Sequence, residues 1–334
     1  MKSTKARLLT IIIYLNLSFP IDKVKELISS INNQTSYDFN LLFIFDGYSQ
    51  NLVDEVKKNN FPNKHIRTNY IFFFDELGSA YAFNHAFQNI FTPFGYFCDA
   101  AITLKENFVE CVNKFLQKRK DNVSMLNFFV EKIPYSVTKP YVKIQTIHED
   151  FSSGFVRILS NCIFNKHFLK TKKIFQTNFH SYPLQFYLDV AKSQPEWFKI
   201  NQQLAKYTRL KNVWYNIFDL YEQCIPIFER IQTKNTFENK HAMEIEYLCL
   251  VYLLHHFLVT IFKNYPKKSN IQKRAIDFVT QTINTYAQDW SKNIWLNPKN
   301  NRNNKKYLSY IRKFKPFRFY VSQAIKSGIF NGSK

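Results

Sequence analysis

Hydrophobic positions in the first half of the chain follow two alternating rhythms. Leu8–Leu15 is a nearly continuous apolar run, as expected of a strand buried on both faces. Val24, Leu27, Ile28 and Ile31 then recur at helical spacing and give one apolar stripe. Ser18 is placed to cap that helix, Pro20 falls in its first turn, and Asn32-Asn33-Gln34 ends it. Asn40–Phe45 reads as a second strand, Leu52–Lys58 as a short helix and Ile66–Phe74 as a third strand. Helix Ala80–Ile90, a short strand Tyr96–Cys98 ending at Asp99, helix Asn107–Gln117 and strand Val123–Val130 continue the series. Strands alternating with helices predict an α/β fold with a doubly wound, mostly parallel sheet flanked by helices.

From about Lys211 the pattern changes to longer helical stretches, over Asn212–Arg230, Ala242–Lys263, Asn270–Trp290 and a last segment after Lys305. This divides the chain into a sheet-forming region, 1–210, and an α-helical C-terminal region, 211–334. Tyr247–Phe262 is apolar enough to raise the question of a membrane span. It falls short of about 18 residues and carries His255-His256 at its centre, so the reading is a buried helix. No repeat with a period of 20 to 50 residues occurs.

One stretch organises the first region. Leu41-Leu42-Phe43-Ile44-Phe45 runs straight into Asp46-Gly47-Tyr48-Ser49, a buried strand ending in a turn. Parallel sheets bind their ligands at the carboxyl ends of their strands, so Asp46 stands where a binding carboxylate would stand. The same Asp-Gly pair also suits an ordinary turn with no ligand.

Composition and charge narrow this picture. A hydrophobic share of 46% supports a sizeable core and excludes wholesale disorder. The five cysteines are scattered without a Cys-x-x-Cys pair, which excludes a disulfide framework or zinc site and suggests a reducing, cytoplasmic setting. The basic start and apolar run could pass for a signal peptide, but no small-residue cleavage site follows, so the run reads as a strand. A net charge of +21 implies a polyanionic partner, either nucleic acid or an anionic membrane face. After Asp289 no acidic residue remains, while cations and aromatics interleave from Lys299 to Lys334, among them Lys313, Phe314, Lys315, Phe317, Arg318, Phe319 and Tyr320. That mixture suits single-stranded nucleic acid, an anionic bilayer surface, or simply a solvated basic helix interrupted at Pro316.

Taken in order, the motifs of the first region resemble the family 2 glycosyltransferases, which have the GT-A nucleotide-sugar fold. Leu9–Asn16 looks like the family's opening strand, and Leu27–Gln34 with Tyr37-Asp38-Phe39 like its "SLxxQTYxxFE" helix and lead-in. Ile44–Ser49 is similar to the "VDDGS" signature, Gly78–Ala86 to "GxxxARNxG", and Phe97–Ile102 more weakly to "FLDSDD". The match spans residues 8 to 105 and continues more loosely to about 210.

What the resemblance implies is a GT-A (Rossmann-like) domain that takes a UDP-sugar as donor, with Asp46, Asp99, Gly78 and Asn84 at the nucleotide. Asp99 would hold Mg²⁺ or Mn²⁺, and weakly, because Ala101 replaces the last carboxylate of the Asp-x-Asp motif and Phe45 the first Asp of the Asp-Asp pair. The family's acidic base pair would fall at His180-Ser181, making His180 the candidate base with Asp189 as the other. Gln194-Pro-Glu-Trp197 has the wrong spacing for the processive "QxxRW" motif.

The expected activity is therefore transfer of a hexose from a UDP-sugar to a hydroxyl acceptor, a saccharide or a membrane lipid such as diacylglycerol. Residues 299–334 would hold the enzyme peripherally on the inner face of the cell membrane. The alternative is a GT-A-fold binding protein without catalysis. A nucleic-acid binder rests on charge and aromatics alone, with no recognised motif behind it.

Overall fold

A computed structural model describes residues 6–58, 66–119, 122–130, 141–144, 161–174, 184–208, 218–265, 269–297, 299–300 and 311. The chain divides into two compact units, Met1–Gln145 with Val156–Trp214, and Thr146–Phe155 with Tyr215–Lys334.

The first unit is built on an eight-stranded sheet whose order is β3-β2-β1-β4-β8-β6-β9-β7. The apolar runs supply its centre: β1 (Leu9–Asn16), β2 (Asn40–Asp46), β3 (Thr68–Phe73) and β4 (Phe94–Asp99) lie parallel. Beyond them come β6 (Met125–Phe129), β7 (Tyr141–Ile144), β8 (Cys162–Asn165) and β9 (Trp197–Gln203). β8 runs antiparallel to both β4 and β6, and β7 antiparallel to β9, while β6 and β9 are parallel. The expected mostly parallel α/β sheet is what forms.

Helices α1 (Ile21–Asn32), α2 (Gln50–Lys58), α3 (Ser79–Asn89) and α4 (Phe108–Arg119) make the crossovers. The α1 stripe is the one read from the sequence, with Val24, Leu27, Ile28 and Ile31 all buried. Ser18 does not cap it. Its hydroxyl donates to Asn16 Oδ1 at 2.8 Å, and Pro20 occupies the cap position in extended backbone. The Asn16 side chain, nearer in sequence, outcompetes the helix end for the hydroxyl.

At Gly95 on β4 side chains of α3 and its C-terminal end pack hard against the sheet. A Cβ there would lie 2.7 Å from the Phe87 ring, so only glycine admits this approach. Five strands escaped the sequence reading: β7, β8 and β9 of the main sheet, and two short ones, β5 (Ile102–Leu104) and β10 (Ala205–Tyr207), which pair antiparallel as a separate small sheet. Helices α5 (Lys166–Thr171) and α6 (Leu184–Lys192) follow β8, and Asp189 lies on the latter. Phe186 of α6 meets Phe83 of α3 edge-on at 5.2 Å, and both rings meet Phe164, so the two helices share one face of the sheet.

The second unit is helical, as read: α7 (Phe218–Gln232), α8 (Phe237–Lys240), α9 (Ala242–Leu250), α10 (Leu258–Asn264) and α11 (Asn270–Tyr286). A π-helical stretch, Val251–Phe257, joins α9 to α10 into one long helix. Its apolar part, Ala242–Phe262, is 21 residues long, more than the sequence window suggested. By length and composition it could cross a membrane, but 88% of its most apolar window is buried within the protein. Arg230 Nε donates to Glu238 Oε1 at 2.7 Å, offsetting the burial of that carboxylate.

Candidate functional site

The order β3-β2-β1-β4 reverses direction between β1 and β4, the kind of switch point at which open α/β sheets form a ligand crevice. Register fixes what faces it. Asn16 lies opposite Asp46 and Tyr14 opposite Asp99, so β1, β2 and β4 deliver their polar residues to one carboxyl edge.

Asp46 is only 1% exposed. Its Oδ2 accepts from the Tyr14 hydroxyl at 2.6 Å and from the Gly78 N–H at 2.9 Å, while Oδ1 accepts from the Leu77 N–H at 2.6 Å. Leu77 and Gly78 lead into α3, where backbone N–H groups have no partner within the helix and the dipole favours an anion. Asp46 thus acts as a remote cap, tying the end of β2 to the start of α3.

Glycines make the geometry possible. Gly78 has φ +89° and Gly47 φ +83°, both in the left-handed region that side chains resist. Burial, and then the bond to Asp46, hold the Tyr14 phenol far above its ordinary range, so it stays neutral and keeps donating. The sequence reading did not single out Tyr14. A phenol within a largely apolar run was the available signal, because a buried phenol needs a partner.

Asp99 is half-buried and closes a turn by accepting the Ala101 N–H at 2.8 Å through Oδ1. Its charge adds to the burial that raises the Tyr96 phenol and the Cys98 thiol. The small sheet braces this turn, with Thr208 N–H donating to the Ala101 carbonyl at 2.8 Å. Ala101 itself is buried at 1% exposure, so the position that the motif resemblance would give to a second carboxylate carries only a methyl group. Among the described residues no group of three or more His, Cys, Asp or Glu is placed to hold a metal. The residues present therefore fit a cation held chiefly by a ligand's phosphates with Asp99 as the protein's share, the usual pattern for Mg²⁺.

Asn84 lies half-buried in the second turn of α3, on the helix that begins at Gly78. Asp189, also half-buried, is on α6, where Gln185 Nε2 donates to Oδ1 at 2.8 Å and fixes the carboxylate one turn away. The crevice and α6 thus belong to the same unit, with α6 on the α3 face of the sheet. His180 lies outside the described residues, as does nearly all of 299–334; Ile311, within that tail, is buried.

Comparison with known proteins agrees with this geometry. Residues 10–171 match the family model described as glycosyl transferase family 2. No curated protein matches the chain. Among solved structures, it is similar to S. aureus TarS 1–349, with a TM-score of 0.61 at 14% identity, covering 98% of this chain and 92% of that one. TarS 1–349 in complex with UDP-GlcNAc gives a TM-score of 0.61 at 13% identity, covering 96% of this chain and 92% of that one. The mannosyltransferase PcManGT from Pyrobaculum calidifontis, in complex with GDP-Man and Mn²⁺, gives 0.56 at 10% identity, covering 99% and 89%. Against the longer TarS structure the chain spans 55% of the length. At these identities the likeness concerns the fold, and the GT-A architecture is the one described above.

Proposed function

We propose that this chain, a glycosyltransferase of family 2 through residues 10–171, moves a hexose from a UDP-sugar to a hydroxyl acceptor. The observation that carries this reading is the pairing of two carboxylates, Asp46 and Asp99, at the carboxyl ends of β2 and β4 on either side of β1. The TarS structures with UDP-GlcNAc and with UDP favour a uridine nucleotide.

In this reading the acceptor hydroxyl attacks the anomeric carbon, its proton passes to a base, and the bond to the diphosphate oxygen breaks as UDP leaves. Asp46 keeps the crevice in shape by fixing the residues before α3, and Gly78 allows backbone to approach the nucleotide closely. Asn84, on the same helix, faces the donor. Asp99 lies at the diphosphate end, where Mg²⁺ or Mn²⁺ would neutralise charge on the leaving group when bound. Asp189 or His180 takes the proton. In support of Asp189, its carboxylate is held in one orientation by Gln185.

A panel of nucleotide sugars tests the proposal. UDP-sugars should raise the melting temperature of the full chain by mass action, with a modest further rise on adding Mn²⁺. A catalytically silent binder would show the same shifts but release no UDP in the presence of any acceptor. If no nucleotide sugar shifts the transition, the donor assignment fails.

The acceptor is proposed to be a lipid or saccharide hydroxyl, with residues 299–334 holding the enzyme against the inner face of the cell membrane. The support is compositional: cations and aromatics alternate in that stretch without a single acid. Each cation near an anionic leaflet contributes about 1 kcal/mol. Changing Lys313, Lys315, Arg318 and Lys326 together to Gln should therefore weaken sedimentation with phosphatidylserine vesicles by roughly two to three decades. Ile311 and its packing are left in place. Equal sedimentation of the two proteins would rule the tail out as the anchor, and steeply salt-dependent binding to single-stranded RNA instead would favour the nucleic-acid reading.

A further inference from the structure

Three loops converge on the edge of the crevice beside Asp46: β1 to α1, β2 to α2, and β3 to α3. Glu76, from the third, reaches across to the other two. Its Cγ stands 3.0 Å from where a Cβ on Gly47 would be, and its Oε1 lies 3.3 Å from the Leu17 N–H. Its charge also adds to what raises the Tyr14 phenol. Apolar side chains flank it in the open, Leu17 at 53% exposure and Leu77 at 43%. The Asp46 carboxylate beneath is closed off at 1% exposure and already accepts from Tyr14, Leu77 and Gly78.

From this we infer that Glu76, rather than Asp46, reads the base of the donor, by accepting the uracil N3–H, while Leu17 and Leu77 pack on the faces of the ring. The inference rests on the UDP-sugar reading and deepens it. With the diphosphate at Asp99, a nucleotide lying along the carboxyl edge places its base toward the loops after β2 and β3. A base needs apolar cover on its faces and a polar partner on its edge. Of the carboxylates on that side Asp46 is closed off, and of the exposed pair Asp75 and Glu76 it is Glu76 that reaches the β1–α1 loop, through one long bond to the Leu17 N–H. A carboxylate has roughly four lone-pair sites, so accepting from Leu17 leaves room for a ring N–H. Glycine at position 47 is then required twice over, for its positive φ and for the space Glu76 occupies.

The test pairs two nucleotides with two proteins. Calorimetry on the full chain would compare UDP with N3-methyl-UDP, for wild type and for Glu76→Gln, after melting curves show that the variant folds. A hydrogen bond to a charged group predicts that the wild type binds N3-methyl-UDP about tenfold or more weakly than UDP. In Glu76→Gln, whose amide oxygen still accepts but without charge, UDP should weaken severalfold and the preference for UDP over its methylated form should shrink by the same factor. Glu76→Asp should recover part of that preference.

A merely structural role for Glu76 would lower affinity for both ligands equally and leave their ratio at the wild-type value, and that result would overturn the inference. Tighter wild-type binding of GDP than of UDP would overturn it too. If the wild type binds neither UDP nor its methylated form, the UDP-sugar reading itself falls and takes the inference with it. UDP binding without the Glu76 coupling leaves that reading standing.

Discussion

Asp46→Ala is expected to cost about 3 kcal/mol of stability and to remove measurable UDP binding from a protein that still folds. The carboxylate accepts three hydrogen bonds. Its removal strands the Tyr14 hydroxyl inside the protein and uncaps the residues leading into α3. A buried donor left without a partner costs about 1–3 kcal/mol, and the helix loses a favourable anion at its positive end. Native domains of this kind have roughly 5–15 kcal/mol to lose, so the variant should fold and can be measured by urea unfolding. Tyr14→Phe removes one of the three bonds and should cost about a third as much. Asp46→Asn keeps an acceptor and should fall between them. An Asp46→Ala protein as stable as wild type would show that the link between β2 and α3 carries no energy. The effect on UDP follows from the same link, because releasing Leu77 and Gly78 frees the loop that also carries Glu76.

Asp99→Ala should act on chemistry more than on folding. The carboxylate's bond to the Ala101 N–H spans a turn that the β5–β10 pair also braces, so its loss is locally tolerated. On the proposed mechanism Asp99 is the protein's own hold on the diphosphate end of the donor. Losing one electrostatic contact to developing charge typically costs about a hundredfold in kcat, and a similar loss in sugar transfer is expected here. Because Ala101 offers no second carboxylate, raising the Mn²⁺ concentration should not restore the rate. UDP release at the wild-type rate by a folded Asp99→Ala protein would move the diphosphate elsewhere.

Much of the fold was legible because it depends on short-range pattern. Short apolar runs bounded by turn residues read as strands buried on both faces, and β1 and β2 are such strands. The 3.6-residue stripe of α1 was equally plain. The short strands were harder to read, inside the sheet as well as at its edge. β7 and β8 are four residues each, and β5 and β10 three, too short for a period to show. The Ser18 cap failed for a local reason, since Asn16 offered a closer acceptor.

The candidate site divides along the same line. The sequence by itself set the carboxylates at strand ends, because a run such as Leu41–Phe45 must stop where the sheet stops and the next residue is Asp46. It also set Ala101 where the motif resemblance would put a second acid. Which carboxylate faces a ligand was beyond it. That depends on Tyr14 meeting Asp46 across a gap of 32 residues, and on the entry to α3 arriving over the same oxygens 31 and 32 residues later in the chain. Strand register and the crossover of α3 set those distances. Burial then followed from packing: Asp46 was sealed by the donors brought to it, and Glu76 was left standing in the open above Gly47.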